Sequence, residues 1–313
     1  MRTIDQASMR INSMHDLACS RWRRLLMLAP LLLSALVGGG CGKSDESAAA
    51  AQRTNAQPRA TAANRTEAPG AQQPTPDAAA QPSSAAYAAV LAAVVTEEGR
   101  IRYAMLDNED LRKQLDTAID DFAKATPPAD SDLAGRKALW INAFNANIMK
   151  MAYEEHRKEG FKSVNDVPGF FSERTIVVAG ETITPQALRE RLRGLKDPRI
   201  HSALVLAARG SPPMPSDPLM ASRVDVQLDN QALRWLETRP NNYLTPQGFS
   251  MSSVFQEFAA DFEGPPYNGA LGFVRKHSRT NGSIRDYLRS VAEPRTSFVP
   301  FDWTLNDAGV AAP

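Results

Sequence analysis

Two side chains that could cooperate in acyl transfer stand ten residues apart, His201 and Ser211. A serine hydroxyl acts as a nucleophile only beside a base, and a histidine base needs a partner that fixes its tautomer. Asp302 and Asp261 are the candidates for that partner. Ser211 as nucleophile, His201 as base and an orienting aspartate would make a serine-dependent hydrolase or acyl transferase.

The same two residues also have a structural interpretation. His201 can hydrogen bond to buried backbone groups, and Ser211 can open the turn that Pro212 and Pro213 continue. No Gly-x-Ser-x-Gly nucleophile elbow surrounds Ser211, which favours the structural interpretation. Both interpretations stay open at the level of the sequence.

Other polar residues could contact a ligand. Asn142 and Asn145 are three apart on a predicted helix and share a face, so their amides either bind a substrate or pin a neighbouring loop. Arg199 either holds an anion through its guanidinium or pairs internally with Asp197 or Asp302.

Two further candidates for ligand binding are Asp261 and Trp303, which lies beside Asp302. Asp302 is either a turn carboxylate anchored by the indole or the acid that orients His201. We predict no metal site, because the histidines are far apart and no His-x-x-x-His or Asp-x-Asp-x-Asp pattern occurs. No glycine-rich phosphate loop is present in the domain, and we expect no cofactor.

The elements that must position these residues are mostly helical. Apolar residues recur at helical spacing in several segments, and Thr184 followed by Pro185 is typical of a helix start. Strands are predicted at Thr175 to Val178, in a hairpin around Gln247-Gly248, and at Phe298 to Trp303. The segment from Ile200 to Ala208 fits a buried strand or a helix equally. This pattern predicts a single helix-rich α+β domain with a small antiparallel sheet, over residues 85–306, followed by a tail at 307–313.

The first 41 residues resemble a bacterial lipoprotein signal. Arginines at 21, 23 and 24 precede the apolar run Leu25 to Val37, and Gly38-Gly39-Gly40 leads directly to Cys41. The run is shorter than the ~20 residues of a membrane span. We expect lipidation of Cys41, although Gly38 stands where a lipobox prefers Leu. The alternative is an ordinary signal peptide cut near the glycines, which leaves Cys41 as a free thiol.

Gly42 after the cysteine indicates, by the lipoprotein sorting pattern, the outer membrane, with the domain on the periplasmic side of the cell envelope. Residues 42–84 are rich in Ala, Gln, Pro, Thr and Ser and poor in large apolar residues, which predicts a disordered tether. The formal net charge is +1 and basic residues alternate with acidic ones, as in Arg189-Glu190-Arg191, so we expect solvated helix faces there and no nucleic-acid partner.

Five motifs, in the same order, resemble the DUF547 family of uncharacterised domains. They are the stretches at 140–145 (Trp-Ile-Asn-Ala-Phe-Asn), 197–204 (Asp-Pro-Arg-Ile-His-Ser-Ala-Leu), 211–214 (Ser-Pro-Pro-Met), Ser253-Val254-Phe255 with Asp261-Phe262, and 301–306 (Phe-Asp-Trp-Thr-Leu-Asn). The resemblance implies an α+β fold distantly similar to papain-type or transglutaminase-type cysteine hydrolases. It implies no substrate.

The chain departs from that family at its cysteines. Ser211 and Leu206 stand where DUF547 sequences commonly carry cysteine, so cysteine chemistry is excluded at this site. We therefore favour a lipid-anchored binding module whose degenerate hydrolase-like cleft holds an envelope protein, a peptide or a polysaccharide. The alternative is the serine-dependent enzyme that uses Ser211 and His201.

Overall fold

The computed structural model describes residues 84–280 and 282–309. The predicted signal, Cys41, most of the tether and the end of the predicted tail lie outside the described residues. Among the residues that are described, no helix is both long and apolar enough to cross a membrane.

Helices make up about half of the described chain. They are α1 (Ser84–Val94), α2 (Glu109–Lys124), α3 (Leu133–His156), α4 (Pro185–Arg193), α5 (Val224–Glu237), α6 (Val254–Glu257), α7 (Ala259–Phe262), α8 (Ala270–His277) and α9 (Ser283–Ser290). Short 3₁₀ helices cover Tyr103–Asp107, Val164–Asp166, Pro198–Ser202 and Ala221–Arg223.

Helix starts follow the capping rules. The Asp132 carboxylate accepts a hydrogen bond from Gly135 N at 2.8 Å and opens α3, and the Thr184 hydroxyl accepts one from Ala187 N at 3.1 Å and opens α4. Pro185 occupies the first turn of α4, as predicted from the sequence. Most side chains of α3 are buried, so this helix forms the centre of the domain.

The strands form two small sheets. Strands β1 (Ile176–Val178) and β2 (Glu181–Ile183) make an antiparallel hairpin. In the second sheet, β3 (Tyr243–Thr245) pairs antiparallel with β4 (Gly248–Ser252), which is the predicted hairpin, and β4 pairs parallel with β5 (Thr296–Val299). The helix-rich α+β class is confirmed, while the three-stranded sheet is mixed rather than purely antiparallel.

The 3₁₀ helix Pro198–Ser202 lies between two groups of buried apolar side chains. Ile200 belongs to the larger group, which α1 to α4 supply. The His201 ring contacts Phe258 and Phe262 of the smaller, aromatic-rich group around α5 to α9. This short helix therefore fixes His201 at the junction of the two groups.

Residues 203–214 follow that helix in an irregular path, so neither alternative left open for the segment from Ile200 to Ala208 describes it fully. Its backbone is held by the C-terminal segment: Ala208 bridges Leu305, and Gly210 N donates to Asp302 O at 2.8 Å. A Cβ at Gly210 would lie 2.7 Å from Asp302 N, so only glycine permits this close approach.

Candidate functional site

The buried His201 side chain is paired with Asp261. His201 Nε2 lies 2.8 Å from Asp261 Oδ2, and its ring stacks on Phe258 with 4.7 Å between ring centroids. The 3₁₀ helix Pro198–Ser202 carries the histidine and α7 carries the aspartate. The sequence left Asp302 and Asp261 open as the orienting carboxylate, and the contact found is with Asp261.

Arg193 shares the Asp261 carboxylate. Its Nε donates to Oδ2 at 2.6 Å and its Nη2 donates to Oδ1 at 2.9 Å, in the bidentate geometry that makes such pairs strong. Burial alone would raise the pKa of Asp261, but its hydrogen bonds with His201 and Arg193 outweigh burial and hold that pKa below its ordinary value. Asp261 is therefore ionised at neutral pH.

An ionised Asp261 fixes the tautomer of His201. Burial lowers the pKa of His201, against the opposing effect of Asp261 and with the help of Arg193 and Arg189, so the ring is neutral near pH 7. A carboxylate can only accept, so Nε2 carries the proton and Nδ1 carries the lone pair. Within the described chain Nδ1 makes no hydrogen bond. It keeps some exposure to solvent, unlike the buried nitrogens that lack a partner.

Ser211 is buried in a different hydrogen-bond setting. Its Oγ accepts from Leu206 N at 3.0 Å, and its carbonyl oxygen accepts from Asn241 Nδ2 at 2.7 Å. Across the described residues, no hydrogen bond joins Ser211 to His201. The hydroxyl thus closes its own turn.

Asp302 and Trp303 lie in the C-terminal segment. The Asp302 carboxylate accepts from Thr304 N at 2.9 Å, and its carbonyl accepts from Gly210 N. The Trp303 ring packs on Phe301 at 4.5 Å and on Phe171 at 6.3 Å. Both residues therefore stabilise the path of this segment, and Asp302 makes no hydrogen bond to His201 in the described part of the chain.

Asn142 and Asn145 each clamp a stretch of backbone. Asn142 donates to Leu219 O at 2.8 Å and accepts from Leu219 N at 2.9 Å. Asn145 donates to Ala203 O at 2.8 Å and accepts from Val205 N at 3.0 Å. Of the two functions that the sequence left open for these amides, this geometry is that of loop pinning, and it ties the segment after His201 to α3.

Arg199 is paired internally, although it lies only two positions before His201. Its guanidinium binds Asp197 through two hydrogen bonds of 2.9 and 2.7 Å, and it also reaches Asp225 at 2.7 Å and Asp229 at 2.9 Å. Lys137 joins the same Asp197 at 2.9 Å. Arg199 is fully engaged by these carboxylates, so it is not available to hold an anionic ligand.

Arg189 has the opposite environment. It lies one turn before Arg193 on α4, and its guanidinium carbon is 5.4 Å from the centre of the Phe258 ring on which His201 stacks. Within the described chain it forms neither an ion pair nor a hydrogen bond, and its Nε is buried without a partner. From the sequence, the Arg189-Glu190-Arg191 triplet is predicted to lie on a solvated helix face. Its four-residue spacing from Arg193 was the one available signal that Arg189 lies on the same face as that ion pair.

Two surface cavities lie elsewhere. One of about 230 Å³ is bordered by Glu237, Arg239, Tyr243 and Arg279, and a shallower one of about 370 Å³ is bordered by Arg112 and Lys150, among other residues. None of the candidate residues from the sequence borders either cavity. Among the residues that the structure describes, no group of three or more His, Cys, Asp and Glu side chains is arranged to hold a metal ion.

Residues 130–236 match the model of the family described as "Protein of unknown function, DUF547". The resemblance is thus confirmed for the segment that contains His201 and Ser211, while Asp261 and Asp302 lie beyond it. No curated protein and no solved structure matches the chain. The distant similarity to papain-type hydrolases stays a prediction.

Proposed function

We propose that this protein is a lipid-anchored component of the cell envelope whose DUF547-like domain binds a ligand and does not perform serine chemistry. The observation that carries the second half is the environment of Ser211. Its hydroxyl accepts the Leu206 N–H, and His201 is hydrogen bonded to Asp261 instead. A nucleophile without a base in reach is inert, because a serine hydroxyl is not ionised near neutral pH.

The rest of the site supports binding in the same way. Asn142 and Asn145 hold the loops that border His201 and Leu219 by four buried hydrogen bonds. Loops that are held by this many buried hydrogen bonds form a rigid surface, which keeps the entropic cost of ligand binding low. The partners we propose are an envelope protein, a peptide or a polysaccharide.

The alternative is a serine-dependent hydrolase or acyl transferase, and one observation favours it. In a catalytic triad an aspartate orients the histidine, and the His201–Asp261 pair resembles that arrangement with the two ring nitrogens exchanged, since Asp261 binds Nε2. For this function, the Ser211 hydroxyl would have to leave the Leu206 N–H and reach His201 Nδ1.

A fluorophosphonate probe separates the two functions. We expect the folded full-length chain to remain unlabelled over the time in which a serine hydrolase, run in parallel, is labelled completely. Labelling that disappears in Ser211→Ala would establish the enzyme and overturn the binding proposal. Labelling that persists in Ser211→Ala would point to a different serine and leave Ser211 without a catalytic function.

The anchor is tested independently. We expect wild-type cells to incorporate labelled palmitate into the protein and to retain it in the membrane fraction, and Cys41→Ala to abolish both. Cys19→Ala is the matched control and should change neither, because Cys19 precedes the apolar run of the signal. Equal incorporation in Cys41→Ala would contradict the lipid anchor.

A further inference from the structure

We infer that Arg189 and the His201 Nδ1 atom together recognise a carboxylate ligand that also carries a hydrogen-bond donor. Arg189 supplies the positive charge, and His201 supplies a neutral acceptor beside it. This inference rests on the proposed binding function and names the chemical class of the ligand.

The first support is the unsatisfied guanidinium. Each of its neighbours Arg191 and Arg193 on α4 is held by a carboxylate, Arg191 by Glu181 through two hydrogen bonds of 2.6 Å and Arg193 by Asp261. Arg189 lies over the face of Phe258 and makes no hydrogen bond or ion pair in the described chain, and a buried N–H without an acceptor, such as its Nε, is costly. Nε itself is sealed from solvent, so a bound carboxylate would pair bidentately with the two terminal nitrogens of Arg189, Nη1 and Nη2, which are not sealed.

The second support is the fixed tautomer of His201. Because Asp261 accepts the Nε2 proton, Nδ1 presents a lone pair to any group that reaches it. Arg189 and His201 contact the same phenyl ring, at 5.4 and 4.7 Å from its centre, and Arg189 lies close enough to help lower the pKa of His201. The guanidinium and the imidazole therefore both lie beside one phenyl ring, and the inference is that one ligand contacts both.

The charge balance selects carboxylate over phosphate. Arg193 is paired with Asp261 and Glu190, so Arg189 is the one arginine of this group without a carboxylate partner among the described residues, and the four charges together sum to zero. A phosphate dianion would bring two negative charges to one free guanidinium, and in a phosphate monoester it would offer no donor to the lone pair of Nδ1. A carboxylate with a neighbouring N–H or O–H matches one cation and one acceptor.

Calorimetric titration of the full-length chain tests this pairing. The probes are N-acetylalanine, which offers a carboxylate and an amide N–H as a peptide terminus does, and glucuronate, which offers a carboxylate and hydroxyls as an acidic polysaccharide does. The amide of N-acetylalanine lacks the carboxylate and serves as the ligand control. We expect one of the two carboxylates to bind, and its identity tells the peptide source from the polysaccharide source.

Two variants on the same helix localise the site. Arg189→Gln should weaken the binding of the carboxylate by at least about tenfold, the usual effect of losing one charged hydrogen-bond donor. Arg191→Gln removes the same charge from the same helix and should leave the affinity unchanged, because Arg191 is held by Glu181. Binding that survives Arg189→Gln, or that is lost equally in both variants, would overturn the inference.

The histidine is tested spectroscopically. With isotope-labelled histidine, the Nδ1 resonance of His201 should shift when the ligand binds, and the signal is assigned by its loss in His201→Gln. A stationary resonance at saturating ligand would remove His201 from the site. Failure of both carboxylates to bind, or preferential binding of inorganic phosphate, would sink the assigned ligand class. Probe labelling at Ser211 would instead overturn the proposed function, so the two failures are distinguishable.

Discussion

The 3₁₀ helix Pro198–Ser202 contributes one residue to each of two clusters of charged residues and histidines, the Arg199 cluster and the His201 cluster. The two clusters differ in how many of their charged groups have a partner within the domain. In the Arg199 cluster, Arg199 binds three aspartates, and Asp229 in turn lies 3.7 Å from His277 Nδ1. In the His201 cluster, Arg193 and His201 share Asp261, while Arg189 has no carboxylate partner among the described residues.

The difference separates a structural ion network from a surface suited to recognition. In the Arg199 cluster, every cation is compensated from within the domain, so a ligand would have to displace an existing partner. In the His201 cluster, one cation and one imidazole lone pair have no partner in the described chain. The sequence alone does not show this difference, because Arg199 and His201 lie two positions apart in the same motif.

The largest expected effect comes from removing the central carboxylate of the Arg199 cluster. Asp197→Ala removes the more buried of the two carboxylates that Lys137 and Arg199 share and leaves them the largely exposed Asp225, so we expect the free energy of unfolding to fall by about 3 kcal/mol. Urea denaturation monitored by circular dichroism measures this loss. Arg189→Ala is the matched comparison and should stay within about 1 kcal/mol of wild type, because only a cation–π contact is lost. Equal losses in the two variants would abolish the contrast between the clusters.

A smaller effect is expected from pH, through the histidine of the Arg199 cluster. Burial lowers the pKa of His277 to about 4, whereas in the unfolded chain it lies near 6.5. The unfolded chain therefore binds the proton first, so this contribution to stability is complete above about pH 6.5 and is lost as the pH falls toward 4. We expect a loss of about 2 kcal/mol from this residue over that range.

His277→Gln provides the test, because it keeps a polar group near the Tyr267 hydroxyl, which lies 3.0 Å from His277 Nε2. Its free energy of unfolding should depend less on pH between 6.5 and 4 than that of the wild type. Some dependence will remain, because burial also lowers the pKa of His201. An unchanged pH dependence would show that His277 does not titrate as its burial requires.

The smallest effect is a shift of one pKa in each cluster. Asp261 raises the pKa of His201 against the effect of burial, so Asp261→Asn should lower that pKa further. Asp229 acts on His277 in the same direction, so Asp229→Asn should lower the pKa of His277 and leave that of His201 unchanged. NMR titration of the histidines distinguishes the two. If Asp229→Asn also lowered the pKa of His201, or Asp261→Asn that of His277, the charges of the two clusters would be electrostatically coupled.

Local signals predicted the elements that local interactions build. Thr184-Pro185 predicted the start of α4, and Gln247-Gly248 predicted the turn of the β3–β4 hairpin, because capping and turns depend on residues close in sequence. The parallel partner of β4 was not predictable in this way. Strand β5 begins at Thr296, and nothing in its own pattern specifies the strand with which it pairs.

In the candidate site, too, the sequence predicted the residues but not the contacts between elements distant in sequence. The sequence identified His201 and two candidates for its orienting aspartate, but the choice of Asp261 depends on how α7 packs against the 3₁₀ helix Pro198–Ser202. The sequence did not identify Arg189 as a site residue, because an Arg-Glu-Arg triplet is typical of an exposed helix face. Only the position of Phe258 and the absence of a neighbouring carboxylate in the described chain set it apart.

The C-terminal segment has a consequence for the order of folding. Asn306 accepts a hydrogen bond from the Tyr103 hydroxyl 203 positions earlier, Asp307 bridges Ile101, and Leu305 bridges Ala208 behind Ser211. Contacts this distant in sequence form slowly, because a long loop must close before they stabilise anything. The segment that carries Ser211 therefore reaches its final geometry only after residues 305–307 have emerged from the ribosome.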